Sequence, residues 1–388
     1  MKIFNCGTCG NVLFFENNHC HACGHRLGFA PDTMILTDLE CVEGDEGDPA
    51  ALYEAHAGES RGRRYRRCRN DVDYDSCNWL IEADDPLAYC RSCRLNEVVP
   101  NLADPEDRRA WLVLEQAKRR LLYTLQSLEL PVPSRAEAPE SGLAFKLLRS
   151  TPEAPVTTGH SQGLITINIA EADSVFRENM RERLGEAYRT VLGHFRHEIG
   201  HFYWDQLIAP SEDRLARFRE LFGDERADYR EALTRHYEQG APEDWHDRYI
   251  SAYATMHPWE DWAETWAHYF HMIDTLDTAA TYGLAVQHPE PGGRRRPRRM
   301  WAVDFENFES LRQRWDALTL ALNSLNRSMG LPDTYPFALC DAVDEKLRFV
   351  HSIVLEARRE PGADSEAPEP KPRTNRIANG SSQRSATL

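Results

Sequence analysis

Two histidines and a glutamate in "GHFRHEIGHFYWDQL", residues 193–207, are spaced to hold a metal. His197 and His201 are four residues apart, so on a helix both imidazoles lie on one side, one turn from each other. Two neutral imidazoles placed this way can share one Zn²⁺, and Glu198 beside the first can reach a water in an open coordination position. The pattern is HExxH, written here HEIGH, and so short a motif also arises by chance in long helices. A catalytic zinc takes three protein ligands plus water, so a third donor must come from another element. The best source is "SAYATMHPWEDWAETWAHYFHMI", residues 251–273, where Glu260, Glu264, His268 and His271 recur at four, four and three. They face away from Trp259, Trp262, Ala263, Trp266 and Phe270. Such a row is either a solvated face or the wall of a site, and three tryptophans make the segment too apolar for an ordinary surface helix.

The cysteines form a second set of candidates. Of ten, nine lie in the first 93 residues. Cys6, Cys9, Cys20 and Cys23 make two CxxCG knuckles, in which a tight turn lets two thiolates face one metal; four thiolates suit a tetrahedral structural Zn²⁺. Cys68, Cys77, Cys90 and Cys93 offer one CxxC and a looser pair, a second zinc site. Exchange of pairs between the two sites, and iron in place of zinc, stay open. Cys41 and Cys340 are left over and read as buried free thiols.

The elements that must carry these residues divide the chain into three parts. Residues 1–100 are a cysteine-rich zinc-ribbon module. Residues 101–355 are mainly helical with a small sheet, so the fold class is α+β. Residues 356–388, rich in Pro, Ser and charge, are a disordered tail. Asp104 and Pro105 cap a long helix bearing Trp111, Leu114, Leu121, Leu122 and Leu125 at helical spacing. "GLITINIA", residues 163–170, alternates like a strand, either the cleft edge on which an extended peptide adds or an internal strand. Leu184, Tyr188, Val191, Phe195, Ile199 and Phe202 step by three or four, so residues 182–210 read as one amphipathic helix that Pro210 stops. "HPEPGGRRRPRR", residues 288–299, reads as an exposed basic loop.

With these residues in place the chain resembles a known family. HExxH followed by a second helix with a glutamate ligand and another acid four residues on looks like the gluzincin class of zinc peptidases. An alanine between the two acids and a tyrosine seven residues before the ligand, here Ala263 and Tyr253, resemble the anthrax lethal factor type. "GLITINIAEAD", "YRTVLGHFRHEIGHFYWD" and "HPWEDWAETWAHY" behind a cysteine-rich ribbon resemble the zinc-binding metallopeptidases of bacteria over nearly the whole chain except the tail. The resemblance implies a catalytic zinc on His197, His201 and Glu260, with Glu198 as general base toward a zinc-activated water. It implies Tyr253 as oxyanion donor and Glu264 as the acceptor that orients His197. Tyr253 as an ordinary half-buried aromatic, and Glu264 as ligand in place of Glu260, are the competing readings. His194, His268 and His271 read as packing or supporting histidines, since a fourth ligand would close the position water needs.

The bulk composition narrows the partners. With 46 basic and 62 acidic residues the net charge is −16, which speaks against a chain that coats nucleic acid or anionic lipid along its length. No run of about 18 apolar residues is present and "MKIFNCGTCG" has no leader pattern, so a cytoplasmic location without membrane contact is expected. The expected partner is a peptide or protein substrate. "RGRRYRRCR", residues 61–69, is either a nucleic-acid contact or a solvated loop whose arginines offset nearby negative charge, and the acidic remainder favours the loop. The alternative function is a zinc-ribbon adaptor for nucleic acid or protein with a non-catalytic HExxH scaffold.

Overall fold

The computed structural model describes residues 2–184, 188–286, 298–299 and 305–359. The cysteine-rich part begins with the hairpin of β1 (Phe4–Asn5) and β2 (Val12–Leu13). It continues as five antiparallel strands in sequential order: β3 (Arg26–Ala30), β4 (Ile35–Glu43), β5 (Leu52–Ala55), β6 (Arg64–Arg67) and β7 (Leu80–Glu82), with helix α1 (Arg69–Tyr74) before the last. This sheet corrects the reading of residues 61–69 as a loop. Tyr65 is buried on one face of β6, and Arg67 is buried against Asp71 at 2.6 Å while donating to the Glu46 carbonyl at 2.9 Å. Arg63 pairs with Asp32 and Arg69 with Asp73.

From here β8 (Asn96–Val98) leads into α2 (Pro105–Ser127), capped by Asp104, whose side chain accepts from the N–H groups of Glu106 and Asp107. The second sheet adds β9 (Ala144–Leu148), β10 (Gly159–Ser161) and β11 (Leu164–Asn168) in the order β10-β11-β9-β8. "GLITINIA" therefore supplies an internal strand, pairing parallel to β9 and antiparallel to β10, and the edges belong to β10 and β8. The helices α3 (Ser174–Leu184), α4 (Val191–Tyr203), α5 (Glu212–Phe222), α6 (Tyr229–Gln239) and α7 (Pro258–Thr281) follow. A hairpin of β12 (Ala285–Val286) and β13 (Arg298–Arg299) separates them from α8 (Phe308–Ser328) and α9 (Asp341–Arg359). The fold is α+β, a helical domain with a small sheet behind a ribbon region. Among the described residues, no helix is long and apolar enough to cross a membrane.

The metal-bearing helix is shorter than its periodicity implies. It starts at Val191 because Thr190 is extended and its hydroxyl accepts from Gly193 N–H at 3.0 Å, an N-cap that places His194 in the first turn. Beyond Tyr203 it opens into a π turn, Trp204–Ile208, before Pro210. Residues 356–359 complete α9, while the rest of the expected tail and most of the basic loop at 288–299 lie outside the described residues.

The ribbon region and the helical domain share one core. Phe15 and Phe29 meet Tyr123 of α2 edge-on at 5.3 and 5.9 Å, and Tyr74 meets Trp111 at 5.8 Å. The other side of α2 faces α4, and Arg196 of α4 and Thr124 of α2 converge on Asp274 of α7. Burying these aromatic faces removes roughly 150–250 Å² per ring from water, the main cohesive force of the junction.

Candidate metal centres

In the first knuckles, Gly10 N–H donates to Cys6 O and Gly24 N–H to Cys20 O, both at 2.8 Å. Both glycines have positive φ, 74° and 78°, the conformation that closes such a turn. Cys6 and Cys23 sulfurs lie 3.6 Å apart, as do those of Cys9 and Cys20. In the second group Cys77 lies 3.6 Å from Cys90 and 3.7 Å from Cys93. A disulfide would bring sulfurs to about 2.05 Å. Four Zn–S bonds of about 2.3 Å put the edges of a tetrahedron near 3.8 Å, which these separations fit. Each cluster keeps its four ligand atoms within 4.8 Å of one another, with no exchange of pairs.

The two clusters differ in surroundings. Cys9 is exposed and Cys23 half-buried, whereas Cys68, Cys77, Cys90 and Cys93 are all buried. Burial holds the Cys77 and Cys90 thiols well above their ordinary range, and bonding to the other three holds Cys93 well below it. Four such groups ionise together only beside a cation. Buried Lys118 and Arg119 of α2 stand within electrostatic reach of this cluster. Cys41 and Cys340 are half-buried, not fully buried as expected.

The third cluster depends on the close approach of α4 and α7. A Cβ on Gly200, the glycine of HEIGH, would stand 3.0 Å from Ala263 Cα and 3.2 Å from Trp266 Cβ. Trp262 Nε1 donates to Gly200 O at 2.8 Å, and Tyr203 stacks on Trp266 at 5.0 Å. Gly200 and Ala263 are thus the two small residues that let the helices meet, and their contact sets the distance between the histidines and the acids. At the start of α7, His257 Nε2 donates to Ala227 O at 3.1 Å and its Nδ1 accepts from Trp259 N–H at 3.2 Å, capping the helix one turn before Glu260.

There the three expected ligand atoms converge. His197 Nε2 is 3.2 Å from His201 Nε2 and 3.0 Å from Glu260 Oε2, and His201 Nε2 is 3.6 Å from Glu260 Oε1. Zn–N and Zn–O bonds of about 2.05 Å give tetrahedral edges near 3.3 Å, so the donor set fits zinc. Glu264 sits on the other nitrogen of His197, its Oε1 2.7 Å from Nδ1, and Ser251 donates to its Oε2 at 2.7 Å. Glu260 is therefore on the convergent side of His197 and Glu264 on the outer side. Burial would raise both carboxyl pKa values, but the histidines His201 and His197 hold Glu260 well below the ordinary range, and His197 lowers Glu264. Burial would lower His197, and the two carboxylates instead hold it well above its usual value.

Glu198 is buried, its pKa is raised by that burial, and its Oε2 has no hydrogen-bond partner among the described residues. An orphaned buried carboxylate oxygen beside three converged ligand atoms is what a water-activating site requires. Tyr253 stands on the turn Tyr253–Thr255 with its ring 6.0 Å from that of His197. The remaining histidines are held elsewhere. His194 Nδ1 lies 3.3 Å from Glu171, His268 Nδ1 bonds Tyr335 at 2.8 Å, and His271 packs among Tyr188, Trp315 and Tyr335. Three residues at the site escaped the sequence reading: Ser251, Tyr229, which donates to Glu260 Oε1 at 2.9 Å, and His160. His160, on the edge strand β10, stacks on His201 at 6.4 Å and accepts from Gly163 N–H through Nε2. Ser251 lies two residues before the singled-out Tyr253; the other two carry no motif.

Residues 107–353 match the family described as "Putative zinc-binding metallo-peptidase", and residues 3–104 match a zinc-ribbon domain. The chain belongs to this family of zinc-binding metallopeptidases. It is 45% identical, over 356 residues covering 92% of this chain and 96% of the other, to uncharacterized proteins of Mycobacterium tuberculosis and Mycobacterium bovis. No solved structure matches.

Proposed function

We propose that the protein is a gluzincin-type zinc peptidase with one catalytic zinc on His197, His201 and Glu260 and a structural zinc in each four-cysteine cluster. Bound zinc supplies Lewis acidity, polarising a peptide carbonyl and making a water acidic enough to attack at neutral pH. The observation that carries the reading is the unpartnered Oε2 of buried Glu198 beside three ligand atoms at tetrahedral spacing. Glu198 takes the proton of the attacking water as its oxygen adds to the carbonyl carbon, then delivers it to the departing amine nitrogen. The pKa raised by burial suits a group that must hold a proton between those events. Tyr253 donates to the oxyanion. Glu264, itself held by Ser251, accepts from His197 Nδ1 and fixes the tautomer whose Nε2 is free to ligate. The substrate chain adds to the outer side of β10, beside His201.

Hydrolysis of a mixed peptide library by the parent and Glu198→Gln tests this. At equal zinc content the parent cleaves and the variant is slower by roughly 10²–10⁴-fold, the usual worth of a positioned acid–base group. A zinc-loaded parent that cleaves nothing, or a variant as fast as the parent, overturns it.

A further inference from the structure

Glu260 is almost completely buried, so both of its oxygens need partners. Oε2 lies 3.0 Å from His197 Nε2. Oε1 receives the Tyr229 hydroxyl at 2.9 Å and is 3.6 Å from His201 Nε2. The tyrosine comes from a different helix. Asp228 accepts from Glu231 N–H at 2.9 Å and so caps α6, making Tyr229 its first residue and fixing where the side chain starts. Its ring rests against His257 at 5.3 Å and Trp259 at 6.3 Å, three residues and one residue before Glu260, so ring and carboxylate are held by the same turn. His257 in turn bonds Ala227 O, which closes the loop between the two helix starts.

A carboxylate can meet zinc through one oxygen or through both, and a hydrogen bond to one oxygen biases that choice. We infer that Tyr229 is a positioning residue of this site: its hydroxyl engages Oε1 of Glu260 and thereby leaves Oε2, the oxygen beside His197, as the one presented to zinc. The inference rests on the zinc reading above. It gives the two neighbouring tyrosines different work. Tyr229 acts through the ligand and sets metal affinity; Tyr253 stands beside Tyr229, feels Glu260 through its charge, and is left for substrate.

Zinc affinity of the full-length protein, measured by competition with a chromogenic chelator, tests it without reference to activity. Tyr229→Phe removes only the hydroxyl and should weaken zinc at this site roughly 10- to 100-fold, the usual effect of losing a group that supports a ligand. Tyr253→Phe should leave affinity unchanged. In a Glu260→Ala background, Tyr229→Phe should cost nothing further, because its partner is gone. An unchanged affinity in Tyr229→Phe, with Glu260→Ala weakened, overturns the inference while leaving the zinc site standing. An equal loss from Tyr229→Phe with and without Glu260 shows a purely structural tyrosine and overturns it as well. If Glu260→Ala itself binds zinc like the parent, the zinc reading fails and takes the inference with it.

Discussion

The second cysteine cluster and the His/Glu cluster are both metal-shaped, yet they are built in opposite ways. Cys68, Cys77, Cys90 and Cys93 supply four buried sulfurs, close a tetrahedron among themselves, and lie within electrostatic reach of Lys118 and Arg119. His197, His201 and Glu260 supply three ligand atoms and stand beside a carboxylate oxygen that no described residue satisfies. A closed set has no place for a reacting molecule; a set one ligand short does. The difference teaches that ligand number, more than burial or unmet hydrogen bonds, separates the two clusters, since Ser92 Oγ between Cys90 and Cys93 is also buried without a partner among the described residues. α2 joins the two, with the thiolates on one side and the HExxH helix on the other.

The comparison breaks most severely if the closed cluster is opened. Cys77→Ser should abolish zinc in that cluster and, because its core is continuous with Trp111 and Tyr123 of α2, leave little folded protein, as seen by circular dichroism and by yield of soluble chain. A well-folded Cys77→Ser would make the cluster dispensable. On the open side, Tyr253→Phe should lower kcat about 10²–10³-fold in peptide hydrolysis with zinc content and unfolding midpoint unchanged, the cost of one oxyanion donor. A change in KM alone would make Tyr253 a binding aromatic. Glu264→Gln should weaken zinc about 10- to 100-fold in chelator competition, since it acts only through His197. The smallest effect belongs to the junction. Arg120 of α2 reaches Glu16 of the ribbon at 2.5 Å, but both side chains are partly exposed, so Arg120→Ala should cost under about 1 kcal/mol in urea unfolding. A larger loss would shift the cohesion of the two regions from aromatic packing to charge.

What could be read in advance follows from locality. His197, Glu198 and His201 lie on one turn, and Glu260 and Glu264 on another, so helical period alone puts each group on one face. Cys6 to Cys23 are brought together by two glycine-closed turns inside 18 residues. Tyr229 and His160 had no such signal. They reach the site from the first residue of α6 and from β10 beside α4, contacts between residues 31 and 41 positions apart. The five-stranded ribbon sheet was hidden for a related reason: in β4 the run Leu36, Thr37, Asp38, Leu39 is buried on both faces, so the alternation that marks a half-exposed strand is lost. Thr190 explains the late start of α4, since a hydroxyl cap overrides an apolar stripe that begins before it.

Stepwise removal of zinc, with peptide hydrolysis and circular dichroism followed on the same sample, addresses the contrast between open and closed clusters most directly. The first zinc to leave should come from the three-ligand site, taking hydrolysis with it while the helical signal holds, and adding zinc back should restore the rate. Hydrolysis that survives loss of that zinc, or a fold that collapses with it, would show that the His/Glu cluster is not the working centre.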